Sequence, residues 1–386
     1  MADTSSFSAS ISHLPELVDA LAPDQQILVT RLFQIVTSQG QIDPPDTMKA
    51  WIKETFGSLD AALRQRVVRV TNRWTFEGAA FNPLRARRPG SGFHPQARAV
   101  PPEVIQRIEA QQGSDDFCNP TQRTTADTFG RLAGTHLQTA SNVAKIDGWH
   151  GLLLFKEHDP LAIDAPLVQE MLAIAHQWAE QARAADTAAR HFFLAWNCLW
   201  RAGASQVHGH AHITLSQSMA HARVELLRAA AGRYRRETGA DYFADLAAAH
   251  AALGLAASAG PVTRFASLTP VKEREVILLL PAAAAPGASW GERLSLLAWP
   301  LAETLRLARE RLGTLAFNVA IFGPPLDAGA QPEDQSWQDF PFVARFVDRG
   351  DPTSQTSDIA ALELFGSSVI SSDPFTVARA LDAPRP

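Results

Sequence analysis

A chain of 386 residues exceeds what a single hydrophobic core usually holds, so one large two-lobed unit or two domains is expected. Its 46% hydrophobic and 19% charged content excludes disordered, collagen-like and coiled-coil classes. A formal net charge of −5 gives no global attraction to nucleic acid or anionic lipid, so any phosphate must be held by local groups.

The opening stretch MADTSSFSASISHLPEL has no basic segment leading into an apolar one. The most apolar later stretch, 276–285, is broken by Pro281 and is too short to span a bilayer. A cytoplasmic protein with no membrane and no nucleic-acid partner is expected. Cys118 and Cys198 are too few for a disulfide scaffold, which leaves reduced thiols and one candidate metal ligand.

Taken in chain order, residues 1–75 carry helix-like spacing in Leu14-Val18-Leu21 and Leu59-Leu63-Val67, which predicts a helical N-terminal extension. Residues 81–114 are rich in Pro, Gly and Arg and read as an ordered loop region. Short apolar runs at 151–155 and 192–199 suit buried strands, and 166–189 between them has the period of an amphipathic helix. A third strand is expected over 207–215.

The same order then returns. Residues 220–255 read as helical, 275–280 as a strand, 294–312 as a helix, and 315–322 and 342–347 as strands. Strand, helix, strand, strand, seen twice, predicts a duplicated α+β unit, with the extension over 1–75, a first unit over 76–219 and a second over 220–386.

The densest chemistry lies in His208-Gly209-His210-Ala211-His212. On a strand, side chains at i, i+2 and i+4 share a face, so the three imidazoles would line one wall. Just upstream, Arg201-Ala202-Gly203-Ala204-Ser205-Gln206 is a small-residue turn whose amides and Ser205 hydroxyl suit a phosphate oxygen. Such a run fits a metal site or nucleophilic catalysis. Structural histidines are the alternative, and three at this spacing beside a Gly-Ser turn favour chemistry.

These residues resemble the histidine triad (HIT-like) superfamily, in the branch holding galactose-1-phosphate uridylyltransferase and diadenosine tetraphosphate phosphorylase. Asn197, Gly203-Ala204-Ser205-Gln206 and His208-x-His210-x-His212 are similar to that branch's Asn, Gly-(Ala/Cys)-Ser-(Gln/Asn) and His-x-His-x-Gln segments. His150-Gly151-Leu152-Leu153-Leu154-Phe155-Lys156-Glu157-His158 resembles the superfamily's His-x-Leu-Val-x-Pro-Lys-x-His strand, with Phe155 in place of proline. Weaker likenesses are Arg85-Ala86-Arg87-Arg88-Pro89, similar to an Arg-x-x-Arg-Pro loop, and Ala361-Leu362-Glu363 with Gly366, similar to a Gly-x-Glu segment.

The resemblance implies an α+β fold of two HIT-like units, each an antiparallel sheet with flanking helices, the second degenerate. It implies a nucleotidyltransferase or phosphorylase acting on a nucleoside diphosphate or polyphosphate compound through a covalent intermediate on His210. His212, Ser205 and His208 would assist, and Asn197, Gln206, Gly203, Arg85, Arg88 and His150 would hold the nucleotide. The branch's zinc positions fall on Asp115, Cys118, His158 and His208, with Asp115 where a cysteine is usual; no organic cofactor is implied. Phosphate or a sugar phosphate would be the acceptor, and a homodimer is a further implication.

Three departures matter. His212 stands where glutamine is usual, which makes a hydrolase releasing a nucleoside monophosphate the competing reading; a non-catalytic nucleotide- or metal-binding protein is the third. Val343-Ala344-Arg345-Phe346 replaces the His-x-His pair of a second metal. Ser357 and Leu362 replace residues that contact a hexose, which argues against galactose. Trp196 and Trp200 are expected in the core, and Trp149 is the candidate for stacking on a base.

Overall fold

The computed structural model describes residues 9–87, 99–327 and 336–382. Short runs of branched and aromatic residues build thirteen strands among them: β1 Phe33–Gln41, β2 Arg64–Asn72, β3 Gly78–Phe81, β4 Leu137–Ser141, β5 Trp149–Phe155, β6 Ala189–Cys198, β7 His210–Gln217, β8 Ala256–Ala259, β9 Val262–Ala266, β10 Val276–Leu280, β11 Phe317–Phe322, β12 Phe342–Asp348 and β13 Ser368–Ile370. Nine of these form one antiparallel sheet in the order β4-β5-β7-β6-β11-β12-β10-β9-β8. A second sheet has the order β1-β2-β3-β13, with β13 parallel to β3.

The large sheet carries the duplication. β6 and β11 meet at its centre, with Ala195 opposite Ala320. Outward from this pair the sequences of strands match: β7, β5, β4 on one side and β12, β10, β9 on the other. A local two-fold axis through Ala195 and Ala320 therefore relates the halves, and the expected α+β class with two units is what the chain adopts.

One face of the sheet is apolar along both halves. Helix Ala165–Ala185 buries Val168, Met171, Leu172, Ala175 and Trp178 against it, and helix Ala298–Leu312 buries Leu301, Leu305 and Ala308. The first of these helices starts where Asp164 accepts a hydrogen bond from the Leu167 amide. Gly151 lies under Trp178, where a Cβ atom would meet the indole at 2.7 Å. In the second half the opposite face is covered by helices Ala222–Thr238 and Tyr242–Ala252 and by the small sheet. In the first half that face carries a small apolar cluster, Ala140, Leu152 and Leu154 with Phe117. There the functional groups gather.

Residues 1–75 are not simply helical. Besides helices such as Pro23–Leu32 and Asp46–Phe56 they contain β1 and β2, paired antiparallel over nine residues. The spacing of Leu59, Leu63 and Val67 spans a junction, for the helix ends at Leu63 and Val67 already lies on β2. The helical stretch 220–255 is two helices, divided at Gly239 with φ of +73°. No helix of the described residues is long and apolar enough to cross a membrane.

Candidate active site

Strand β7 begins at His210 rather than at residue 207, and this divides the three histidines between two tasks. His210 and His212 are the first and third strand residues, with ring centroids 5.3 Å apart on the face that carries Phe117. His208 precedes the strand and turns its ring toward Cys118 and His158. Gly209 permits the division. Its amide donates to the His158 carbonyl, its carbonyl accepts from the Phe155 amide, and a Cβ there would meet the Phe155 ring at 2.6 Å.

His210 is buried, and its Nδ1–H donates to the His208 carbonyl at 2.8 Å. Burial pushes its imidazolium down to about 4, so the ring is neutral near pH 7 and its free lone pair sits on Nε2. A second chain of donors fixes its neighbour. The Ile146 amide donates to His150 Nδ1 at 3.3 Å, so the His150 proton is on Nε2 and is donated to His212 Nδ1 at 3.0 Å. His212 then keeps its own proton on Nε2. Burial, with the nearby His150, lowers His212 to about 4, and burial with Lys145 lowers His150. A nucleophile and a neutral donor thus lie side by side.

Asp115, Cys118, His158 and His208 form the metal-binding group suggested by sequence, with one ligand atom from each lying within 4.8 Å of the others. Asp115 Oδ1 accepts from the Phe117 and Cys118 amides, which leaves Oδ2 directed into the group. His158 Nε2–H donates to the Ile108 carbonyl and His208 Nε2–H to the Phe155 carbonyl. Both Nδ1 lone pairs therefore face inward, 3.2 Å apart, with no proton between them. Cys118 Sγ lies 3.4 and 3.5 Å from these nitrogens, and Asp115 Oδ2 lies 3.2 Å from His158 Nδ1. Ligand bonds of about 2.0 to 2.3 Å give tetrahedral edges of roughly 3.3 to 3.8 Å, so the donor set fits a divalent metal. Without one, burial holds the Cys118 thiol above its ordinary value.

The small-residue turn expected to meet phosphate follows β6. Leu199 and Gly203 take φ of +66° and +95°, and the Gly203 and Ala204 amides close back onto Trp200 and Leu199. Beyond them, the amides of Ser205, Gln206 and Val207 and the Ser205 hydroxyl have no hydrogen-bond partner among the described residues. Ser205 is exposed and Gln206 half-buried. Because Ala195 is opposite His212, Asn197 continues the register beside His210 on the same face.

Other expectations fall elsewhere. Arg85 is exposed on Pro83–Arg87 with no contact to the histidines, and Arg88 lies outside the described residues. Trp149 is on the opposite face, stacked on Phe129, so it faces no base at this site. Phe117, whose ring edge meets His210 at 5.1 Å, and Asn142, 3.4 Å from His150 Nε2, were missed. The Asp-x-x-Cys spacing that holds Asp115 and Cys118 could have pointed to Phe117 between them.

In the second half the two-fold axis places Val343 where His210 stands, Arg345 where His212 stands and Glu275 where His150 stands. Arg345 donates to Glu275 at 2.6 Å and to Glu77 at 2.8 Å. The second site is an ion group.

The chain matches no protein-family model and no curated protein. Its structure is similar to an ADP-glucose phosphorylase from Arabidopsis thaliana solved with bound ADP-glucose, with a TM-score of 0.59 and 15% identity over 82% of this chain and 98% of that one. The chain shares that fold. A galt-like protein from the same plant has a TM-score of 0.55 at 16% identity, covering 70% of this chain and 91% of its own. A uridylyltransferase has 0.54 at 13%, covering 81% and 96%. The resemblance read from the histidine windows is thus met by a shared fold over most of the chain.

Proposed function

We propose that the chain is a nucleotidyltransferase or phosphorylase that moves a nucleoside monophosphate through a covalent bond to His210. The observation that carries this is the locked tautomer: Nδ1–H is held by the His208 carbonyl, so the free lone pair is on Nε2. His210 Nε2 attacks the α-phosphorus of a nucleoside diphosphate or polyphosphate compound. A P–N bond forms, the bridging P–O bond breaks, and the leaving group departs with that electron pair. An acceptor oxygen, of phosphate or a sugar phosphate, then displaces the imidazole and restores it neutral.

The nonbridging oxygens would meet the Ser205 hydroxyl, the free amides of the Gly203–Gln206 turn, Asn197 and the Nε2–H of His212. Phe117, Ala140, Leu152 and Leu154 would form the apolar platform for the base. Zinc would be held by Asp115, Cys118, His158 and His208, and with four protein ligands it would cross-link the segments after β5 and before β7 to the 115–118 turn. ADP-glucose bound to a protein of the same fold supports a sugar nucleotide as donor. A homodimer in the cytoplasm completes the proposal.

His212 in the place of glutamine favours one second reading, a hydrolase in which water is the acceptor. Offering α-labelled nucleotides singly separates these outcomes. Transfer predicts acid-labile, alkali-stable label on the wild type and none on His210→Gly, with monophosphate release dependent on an acceptor. Steady release in water alone would favour the hydrolase, and a wild type that none of the common nucleotides labels would sink the covalent mechanism.

A further inference from the structure

We propose that Asn318 and Arg349, both from the second unit, are positioning residues that fix which end of the Asn197 amide faces phosphate. The proposal rests on the reading of Asn197 as a phosphate donor. An asparagine can present either its oxygen or its NH2, and the two choices have opposite consequences beside an anion. Asn197 has no preference of its own. Its neighbours impose one.

Asn318 on β11 lies directly opposite Asn197 on β6. Its Oδ1 accepts from Arg349 at 2.7 Å, and a guanidinium can only donate, so the Asn318 oxygen is held on that side. The Asn318 NH2 then faces the other way, with one hydrogen to Asn197 Oδ1 at 2.6 Å and the other to the Ala202 carbonyl at 2.8 Å. Both hydrogens are used, and Asn197 must offer its oxygen to them, because reversing it would set two NH2 groups against each other. The Asn197 NH2 is thereby turned toward the His210 face. The same bond to Ala202 anchors the residue just before the Gly203–Gln206 turn, so one side chain sets two sources of phosphate donors.

Arg349 is itself held. Its Nε and a terminal nitrogen clasp Asp358 at 2.6 and 2.9 Å, its carbonyl accepts from Arg201 Nε at 3.1 Å, and its side chain is 15% exposed. The orientation thus runs Asp358, Arg349, Asn318, Asn197, from a loop of the second unit to the nucleophile of the first. This gives the half without histidines a part in the chemistry.

Asn318→Asp is nearly isosteric, keeps an acceptor for Arg349 and removes the donor. Asn197 would turn to give its NH2 to the new carboxylate and present its oxygen to phosphate. The single-turnover rate of His210 labelling at saturating nucleotide is expected to fall about 100-fold, the scale of one lost oxyanion donor, while the thermal midpoint is kept by the new ion pair. Asn197→Ala should fall by a similar factor, and Asn318→Asp should cost less on the Asn197→Ala background than on the wild type, because only its bond to Ala202 is then left to lose. Labelling by Asn318→Asp at the wild-type rate, or losses that multiply in the double variant, would overturn the proposal.

If Asn318→Asp fails to fold, Arg349→Met decides, since an unanchored Asn318 predicts slower labelling and a wild-type rate refutes it. Calorimetric affinity for AMP, GMP, CMP and UMP separates this idea from the covalent one. A wild type that takes no label but binds a monophosphate at least tenfold more tightly than Asn318→Asp loses the mechanism and keeps the orientation. Equal affinities, or no binding by either, remove the orientation.

Discussion

Gly209 shows how one hydrogen atom separates two functions. The residue sits between a metal ligand and the proposed nucleophile, and its backbone makes the last ladder bonds to Phe155 and His158. A methyl there meets the Phe155 ring at 2.6 Å, and that ring is wedged edge-on against Trp196, so relief must come from the strand end. Overpacking of this kind costs about 1 to 3 kcal/mol. Gly209→Ala is expected to lower both bound metal, measured by elemental analysis, and the His210 labelling rate. Loss of one with full retention of the other would show that the two sites are not joined through this residue.

His210 and His212 were legible because strand alternation is a local property, whereas alternation misplaced His208, which precedes the strand and turns to Cys118 and His158. Asn318, Arg349 and Glu275 were not, since their roles come from partners 31 to 121 residues away in the sequence. Asp115 was legible through resemblance alone, as a lone aspartate carries no signal before its ring partners are known.

At the scale of elements, the long amphipathic helices were read correctly because a buried face repeats along them, as Val168, Met171, Leu172, Ala175 and Trp178 do. Strands β4 (LQTAS) and β8 (AASA) were overlooked, for their residues have little β preference and only pairing with β5 and β9 makes them strands. Between elements, His250 fastens helix Tyr242–Ala252 to the sheet. Its Nδ1 donates to the Leu246 carbonyl, its Nε2 accepts from the Leu268 amide, and its ring lies 4.2 Å from that of Phe265.

Burial lowers His250 to about 4, as it does His212, whereas both take protons near 6.5 when unfolded. Between these values the unfolded chain binds more protons, so stability falls as pH drops from 6.5 toward 4 and is fully present above 6.5. Urea midpoints measured from pH 7.5 to 4 should decline over that window, and His250→Leu should flatten the decline while lowering stability at pH 7. An unchanged slope in that variant would remove His250 from the account.

For the whole molecule, the two-fold axis through Ala195 and Ala320 makes the halves a natural comparison, and the pair His212 with His150 becomes Arg345 with Glu275. The first half sets its histidines on one face of the sheet, beside Phe117. The second covers it, and Glu77, next to β3, accepts from Arg345 at 2.8 Å, so the small sheet is tied to the Arg345–Glu275 pair by charge. The Glu275 carboxylate is fully buried and Arg345 is one of its few partners. Removing one member of a buried pair typically costs about 3 to 5 kcal/mol, whereas replacing both with apolar groups of similar size can be neutral. Arg345→Leu should therefore lower the free energy of unfolding in urea by about that amount, and Arg345→Leu with Glu275→Leu should recover most of the loss. Equal losses in the single and double variants would mean that Glu77, rather than the buried pair, holds the small sheet in place. The expected recovery would identify the Arg345–Glu275 pair as a structural joint, which leaves the proposed nucleotide chemistry to the half that carries the histidines.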